Sequence, residues 1–181
     1  LICMKGMDIM FQTAPGVTIP FPDKILEEYQ IFKGESICAN VSYEKLLALI
    51  TDFYRALPEP LFLVMQLPLS IDEENKMGFE EILHQEVLYL DGQSQIDTIM
   101  TSYGQLLLSD GLSQFAIASH KSHEEIFIQK YKVVSIYSEI PERYAVLLTK
   151  YGLHKTDQLI TAWDTFSQDY PGECRRICID G

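Results

Sequence analysis

The residues best suited to chemistry lie in one short stretch, His120-Lys-Ser-His123-Glu124-Glu125. Imidazoles and carboxylates are the side chains that ligate divalent metals. The His-x-x-His spacing differs from the i, i+4 pair that zinc proteases carry on a helix. Because residues i and i+3 of a strand point to opposite faces, only a tight loop would bring both rings together. We therefore treat His120, His123 and Glu124 as a candidate metal site, with a solvated polar loop between two strands as the alternative.

The cysteines offer a second, weaker pattern. Cys174 and Cys178 are separated by three residues and resemble a metal half-site only loosely, since structural zinc sites need a second pair of ligands. Cys3 and Cys38 are too scattered to supply that pair. Two half-buried thiols near the end of the chain are the simpler interpretation, and no cofactor is expected. Few, unevenly spaced cysteines favour a reducing, cytoplasmic compartment.

No catalytic signature is present in the sequence. It contains no Gly-x-Ser-x-Gly nucleophile motif, no phosphate-binding P-loop and no Gly-x-Gly-x-x-Gly dinucleotide motif. The acidic run that begins at Asp72 lacks the alternating ligands and the glycine of a calcium loop. These observations favour a protein that is not an enzyme, although an active site assembled from scattered residues stays open.

The charge balance excludes several partners. The chain has 181 residues, of which 26 are acidic and 14 are basic, and its net charge is −12. Nucleic acids and anionic membranes attract basic patches, so neither is an expected partner. The longest apolar run, residues 60–65, is far shorter than the ~20 residues that span a bilayer. The start of the chain also lacks a signal-peptide pattern. A basic protein, in contrast, would be attracted.

Acidic side chains are the candidate contacts for such a partner. They occur in a polar segment, residues 70–78, just beyond it, and in a segment predicted to be a C-terminal helix: Asp72, Glu73, Glu74, Glu80, Glu81, Asp157 and Asp164. Residues 141–168 are predicted to form a helical pair with a short turn, as in helix-turn-helix proteins. No lysine or arginine follows Lys155 in the second helix, so we do not expect it to bind DNA.

Apolar periodicity predicts the elements that would position these residues. Helices are expected at residues 22–33, 42–57, 79–85, after a capping-box spacing at Ser94 and Asp97, and at 141–151 and 156–168. Strands are expected at residues 36–41, 61–67, 86–90, 112–119 and 175–179. Residues 61–67 are nearly all apolar, which predicts a strand buried on both faces. Residues 125–137 are predicted as either a hairpin or one long bent strand.

These elements predict an α+β or mixed α/β fold. We expect one compact domain over residues 1–181, with a sheet of about five to seven strands, about three main helices covering it and a helical pair near the C-terminus. Residues 1–21 are expected to be irregular. Residues 70–78 are expected to form an acidic surface loop.

Three functions are compatible with these features. The first is a non-enzymatic, acidic binding protein, such as a bacterial immunity or antitoxin-type inhibitor of a basic toxin. The second is a small hydrolase or transferase that works through His120 and His123. The third is a structural or regulatory subunit of an assembly, which a large exposed apolar patch would favour.

Overall fold

A mixed sheet of eight strands forms the centre of the computed structural model, which describes residues 11–32, 36–77 and 83–177. These residues contain ten strands: β1 Val17–Thr18, β2 Glu28–Phe32, β3 Ser36–Ala39, β4 Leu61–Pro68, β5 Leu83–Leu90, β6 Gln114–Ser119, β7 Glu125–Ile128, β8 Val134–Tyr137, β9 His154–Lys155 and β10 Glu173–Cys174. The helices are α1 Tyr43–Arg55, α2 Ile71–Met77, α3 Gln93–Ser109 and α4 Glu142–Lys150. The fold is therefore α+β.

The strand order explains where the helices lie. The large sheet runs β5-β4-β6-β7-β8-β3-β2-β9, and every neighbouring pair is antiparallel except β2 and β9. The three longest helices, α1, α3 and α4, each connect two strands that run in the same direction and are not neighbours. Such connections must cross a face of the sheet. Among the described residues, no helix is long and apolar enough to cross a membrane.

The main core lies between these three helices and one face of the sheet. Leu61, Leu63 and Ile117 point towards the helices and are fully buried. The predicted apolar stripe of α1 is confirmed, since Leu46, Leu49, Ile50 and Phe53 are all buried there. A Cβ atom on Gly104 would lie 2.9 Å from Leu47 Cδ1, so the glycine lets α3 approach α1 closely.

A second, smaller core lies on the other face. It consists of Ala14, Val17, Ile19, Tyr131, Val133 and Ala162, and Cys38 of β3 packs against it. The two-stranded sheet of β1 and β10 ties this cluster to both ends of the described chain. Backbone bonds from Gly16 N to Ser109 O and from Gly111 N to Arg175 O join it to the end of α3.

The helix predicted at residues 22–33 is wrong. The structure has a single 3-10 turn at Pro22–Lys24 followed by β2, which pairs with β3 and β9. Tyr29 is buried, whereas Leu26 and Phe32, which the helical stripe would also bury, are 59% and 45% exposed. Pairing along the whole length of β3 therefore outweighed the local helical pattern.

The helix predicted at residues 156–168 is also wrong, so the helical pair near the C-terminus does not form. The chain runs from β9 through an extended segment to a 3-10 turn at Ala162–Thr165. Side-chain amides form hydrogen bonds with the backbone N–H and C=O groups of the extended segment. The Gln30 amide bonds Asp157 O and Leu159 N, and the Asn40 amide donates to Ile160 O. These bonds replace the ones that a helix would make.

The acidic segment at residues 70–78 is not a loop, because residues 71–77 form α2. A capping box that the sequence analysis missed opens this helix. Glu73 N donates to Ser70 Oγ, and Ser70 N donates to Glu73 Oε2 at 2.9 Å. The predicted helix at residues 79–85 falls partly outside the described residues, and its last three residues belong to β5.

The capping box predicted at Ser94 does not form either. Helix α3 begins two residues earlier than that box predicts, at Gln93 after Gly92, and Asp97 instead accepts a hydrogen bond from Tyr54 Oη at 2.6 Å.

The remaining strand predictions are corrected in number and extent. Residues 125–137 form a hairpin, β7 and β8, whose 3-10 turn holds Tyr131 and Lys132 at positive φ. The sheet exceeds the five to seven expected strands because β2 and β9 join it.

Strand β4 is buried on one face only, since Phe62 and Val64 stay partly exposed. The last strand is β10, and part of the segment predicted at 175–179 lies outside the described residues.

Lys132 connects the β7–β8 turn to the end of α3 through hydrogen bonds. Its side chain is buried, and Nζ donates to Leu107 O at 3.0 Å and to Ser113 O at 2.7 Å. Leu107 O is one of the last carbonyls of α3, where a positive charge is favourable. Burial nevertheless disfavours the charged amine and lowers the pKa of Lys132 to about 8.

We expect Lys132→Met to lower the free energy of unfolding by about 1–3 kcal/mol at pH 7, because it leaves two buried carbonyls without a donor. The wild-type protein should also gain stability as the pH rises from about 8 to about 10.4, since the folded state binds fewer protons than the unfolded chain there. Lys132→Met should lack this gain. Urea denaturation across this pH range tests both expectations, with Lys121→Met on the surface as the control. Equal stability and equal pH dependence in both variants would contradict the assigned role.

Candidate functional site

The side of the sheet that faces away from the helices is only partly covered. The second core covers it over β3. We call the remainder the open face and define it by the outward residues of five strands: Gln85, Val87 and Tyr89 of β5, Phe62, Val64 and Gln66 of β4, Gln114, Ala116 and Ala118 of β6, Glu125 and Phe127 of β7, and Tyr137 of β8. The ladder places these side chains in rows across the sheet.

The open face is apolar and aromatic, although much of it is in contact with solvent. Tyr89, Val87 and Tyr137 are 55%, 53% and 45% exposed. Phe62 packs edge-on against Tyr89, with ring centroids 5.3 Å apart. The described residues of these strands place one charged side chain on this face, Glu125. Few charges and many aromatic rings are the composition of the buried centre of protein interfaces.

A groove runs along β6 in the middle of the open face. Its floor is formed by Ala116 and Ala118, whose small side chains lie between the larger ones of β4 and β7. A depression of about 170 Å³ lies there, lined by Val64, Gln66, Ala116, Glu125 and Phe127. The groove follows directly from a strand of small residues between two strands of large ones.

Among the described residues that line this groove, Glu125 is the one carboxylate. Its direct neighbours across the ladder are Ala118 on β6 and Tyr137 on β8, and neither is a cation. Burial among these side chains raises the pKa of Glu125, since a carboxylate loses hydration there. A half-buried carboxylate beside apolar walls is poised to accept a cationic or hydrogen-bonding group from another molecule.

The loop that carries the candidate metal ligands is a tight turn between β6 and β7. Ser119 Oγ accepts hydrogen bonds from the backbone of Lys121 and Ser122 and donates to Pro58 O at 2.7 Å. His123 takes a positive φ of 58° to close the turn. The segment between the two strands is therefore an ordered turn.

Glu124 is buried and holds this turn against α4. Its carboxylate accepts from Ser138 Oγ at 3.1 Å and from Arg143 at 3.3 Å. Arg143 also donates to Ala56 O at 3.0 Å, which ties the end of α1 to the same junction. The carboxylate that was a candidate metal ligand thus makes a structural ion pair.

The two histidines point to different surroundings. The His120 ring packs edge-on against Phe62, with centroids 5.5 Å apart, at the end of the open face. His123 lies in a separate shallow cleft of about 480 Å³ with Lys121, Glu139 and Arg143. Within the parts of the chain that the structure describes, no group of three His, Cys, Asp or Glu side chains is arranged to hold a metal ion.

The predicted partner-binding carboxylates fall into two groups that the fold separates. Asp72 and Glu73 are exposed on α2, in the connection between β4 and β5 at one edge of the sheet. Asp157 follows β9 at the opposite edge, and Asp164 caps the 3-10 turn by accepting from Thr161. The side chain of Glu74, and all of Glu80 and Glu81, lie outside the described residues.

The two cysteines that the structure describes do not form a reactive site. Cys38 and Cys174 are free thiols that are partly buried against the second core, and burial raises the pKa of both. A raised pKa keeps a thiol protonated and poorly nucleophilic. Cys3 and Cys178 lie outside the described residues.

The open face was not predicted from the sequence, although the sequence contains a signal for it. In Gln114-Phe-Ala-Ile-Ala-Ser119 the large apolar residues alternate with small ones, which indicates a strand with one buried and one shallow face. The matching pattern in residues 61–67 is hidden, because the outward residues Phe62 and Val64 are themselves apolar. A strand with one exposed apolar face and a strand buried on both faces both give a nearly continuous apolar run, so the sequence of one strand does not distinguish them.

Glu125→Gln should stabilise the isolated protein, because it removes a desolvated charge that the neighbouring strands do not pair. We expect the melting temperature to rise by about 1–3 °C at pH 7. The raised pKa of Glu125 means that the folded state binds more protons than the unfolded chain just above about pH 4. The difference between variant and wild type should therefore shrink as the pH falls through that range.

Calorimetry of both proteins at pH 7 and pH 4 measures this difference. Glu173→Gln, which removes an exposed strand carboxylate that does not line the groove, is the matched control and should leave the melting temperature unchanged. A Glu125→Gln protein that melts below wild type at pH 7 would show that the carboxylate is stabilised by the fold.

Neither a protein-family model, nor a curated protein, nor a solved structure matches this chain.

Proposed function

We propose that this chain is a non-enzymatic binding protein that docks a basic protein on its open face. One observation carries the proposal: a face five strands wide exposes aromatic and aliphatic side chains. The described residues of its strands place a single charge there, in a chain in which 22% of residues are charged. Leaving such a patch in water is unfavourable, and proteins that do so generally cover it with a partner.

The net charge supports a basic partner. At −12 the chain attracts a cationic protein over a distance and raises the rate of encounter. A second copy of this chain would bring the same negative charge. Two open faces in contact would also bury two Glu125 carboxylates without a cation between them. Self-association through this face is therefore the less favourable alternative.

Acidic residues at the margins of the open face fit the same proposal. Glu59 precedes β4, Asp91 follows β5 and Glu139 follows β8, and all three are exposed at one end of these strands. Asp72 and Glu73 are exposed on α2, which leads from β4 to β5. Apolar contacts in the centre and charges at the margin are the usual division of an interface.

The specific version of this proposal is an immunity or antitoxin-type inhibitor of a basic toxin in the bacterial cytoplasm. Such an inhibitor needs no cofactor and no catalytic residue. The free thiols of Cys38 and Cys174 are compatible with a reducing compartment. Asp157 and Asp164 would then contribute to long-range attraction only, since they lie towards the other edge of the sheet.

A permanent structural or regulatory subunit is the second candidate, because the exposed apolar face also favours it. The two candidates differ in the effect of salt. An inhibitor guided by charge should bind its target more weakly at high ionic strength, whereas a mostly apolar subunit contact should change little. We do not propose a hydrolase or transferase at His120 and His123, since Glu124 is engaged by Ser138 and Arg143.

Site-specific photo-crosslinking in source cells tests the proposed function. Tyr89→p-benzoylphenylalanine places a photoreactive ring on the open face at a residue that is 55% exposed. We expect it to crosslink one basic protein in stoichiometric amount. In lysates, raising the salt from about 0.1 M to about 1 M before irradiation should remove most of this product, because the screening length falls to about 3 Å.

Tyr103→p-benzoylphenylalanine is the matched control, because Tyr103 is 59% exposed but lies on α3, in the helical layer. It should not crosslink the same protein. Equal products from both positions, or none from Tyr89, would contradict the proposal. A product that resists high salt would favour the subunit.

A further inference from the structure

We infer that the groove along β6 is a binding site for a single arginine side chain of the basic partner, with Glu125 as its counter-ion. This inference rests on the proposed function and assigns a ligand chemistry to the centre of the same face. It goes further than a general attraction between opposite charges, because it names one pocket, one carboxylate and one type of side chain.

The groove has the shape of a site for one extended side chain. Ala116 and Ala118 form its floor, and Val64 and Phe127 stand on the strands to either side. The depression of about 170 Å³ is shallow, and its volume suits the alkyl stem of one side chain. The methylene groups of an arginine can cover such an apolar floor while the head group stays at the polar end.

The carboxylate of the groove matches a guanidinium head. Glu125 offers two oxygens at the Ala118 end of the groove, whereas Gln66 stands opposite Gln114, four residues away along β6. Within the described strands, the residues beside Glu125 are uncharged, so its charge is not already neutralised across the ladder. A cation that enters here would restore the interactions that the carboxylate loses through burial.

Arginine fits these surroundings better than lysine. The planar guanidinium can bind a carboxylate through two parallel hydrogen bonds and can stack on an aromatic ring such as Phe127. It is also less strongly hydrated than the ammonium of lysine, so it enters a partly apolar pocket more readily. Arginine is accordingly enriched among the residues that dominate binding at protein interfaces.

Titration of the ¹⁵N-labelled protein with N-acetyl-L-arginine amide tests this inference without the partner. We expect saturable shifts, with a dissociation constant in the millimolar range, confined to the backbone amides of β6 and β7 around Ala116, Ala118 and Phe127. N-acetyl-L-lysine amide should bind more weakly. The uncharged N-acetyl-L-citrulline amide should not saturate the site.

Two variants of equal charge identify the counter-ion. Glu125→Gln should raise the dissociation constant by about fivefold or more. Glu173→Gln removes an exposed carboxylate outside the groove and should leave it unchanged. Non-saturating shifts, shifts spread over the acidic surface, equal binding of citrulline amide or equal effects of the two variants would each overturn the arginine site.

The two proposals can fail separately. If arginine amide does not bind but the photoreactive residue at position 89 still crosslinks a basic protein in a salt-dependent manner, the inferred arginine site is wrong and the proposed function stands. If arginine amide binds in the groove but crosslinking yields no protein, the groove is a small-molecule site and the proposed function is wrong.

Discussion

Every long helix of this fold crosses the same side of the sheet, and this constraint decides what the other side can become. Helices α1, α3 and α4 each join two strands that run in parallel but are not neighbours, and all three contribute to one core. Helices that share one face leave the other without a regular cover. The second core covers it over β3, and the open face is what remains.

The relief of the open face results from the sizes of its side chains. Small residues on β6 lie between large ones on β4 and β7, so a flat sheet acquires a groove. Rigid strands hold its walls, which suits recognition because little entropy is lost when a partner binds. Glu125 differs from its surroundings, because it is a charged side chain among apolar neighbours. Residues that cost stability in the isolated protein are frequently those that serve binding.

Sequence reasoning succeeded for α1, α3 and α4 and for most of the central strands, because their apolar patterns agree with their places in the fold. It failed for β2 and for residues 156–168, where a helical stripe was present but β3, Gln30 and Asn40 supplied other hydrogen-bond partners. Those partners are far away in the sequence, so no local window contains them. It also failed at α2, although the Ser70–Glu73 capping box was readable.

The sequence by itself determined the negative charge, the absence of catalytic motifs, the amphipathic helices and the presence of a substantial sheet. These properties depend on composition or on neighbours along the chain. Only the tertiary structure decided which face of each strand is covered, since an apolar residue looks the same whether it is buried or left for a partner. It also separated His120 from His123 and placed Glu125 directly beside Ala118 on the neighbouring strand, because strand register decides which residues of two strands face each other.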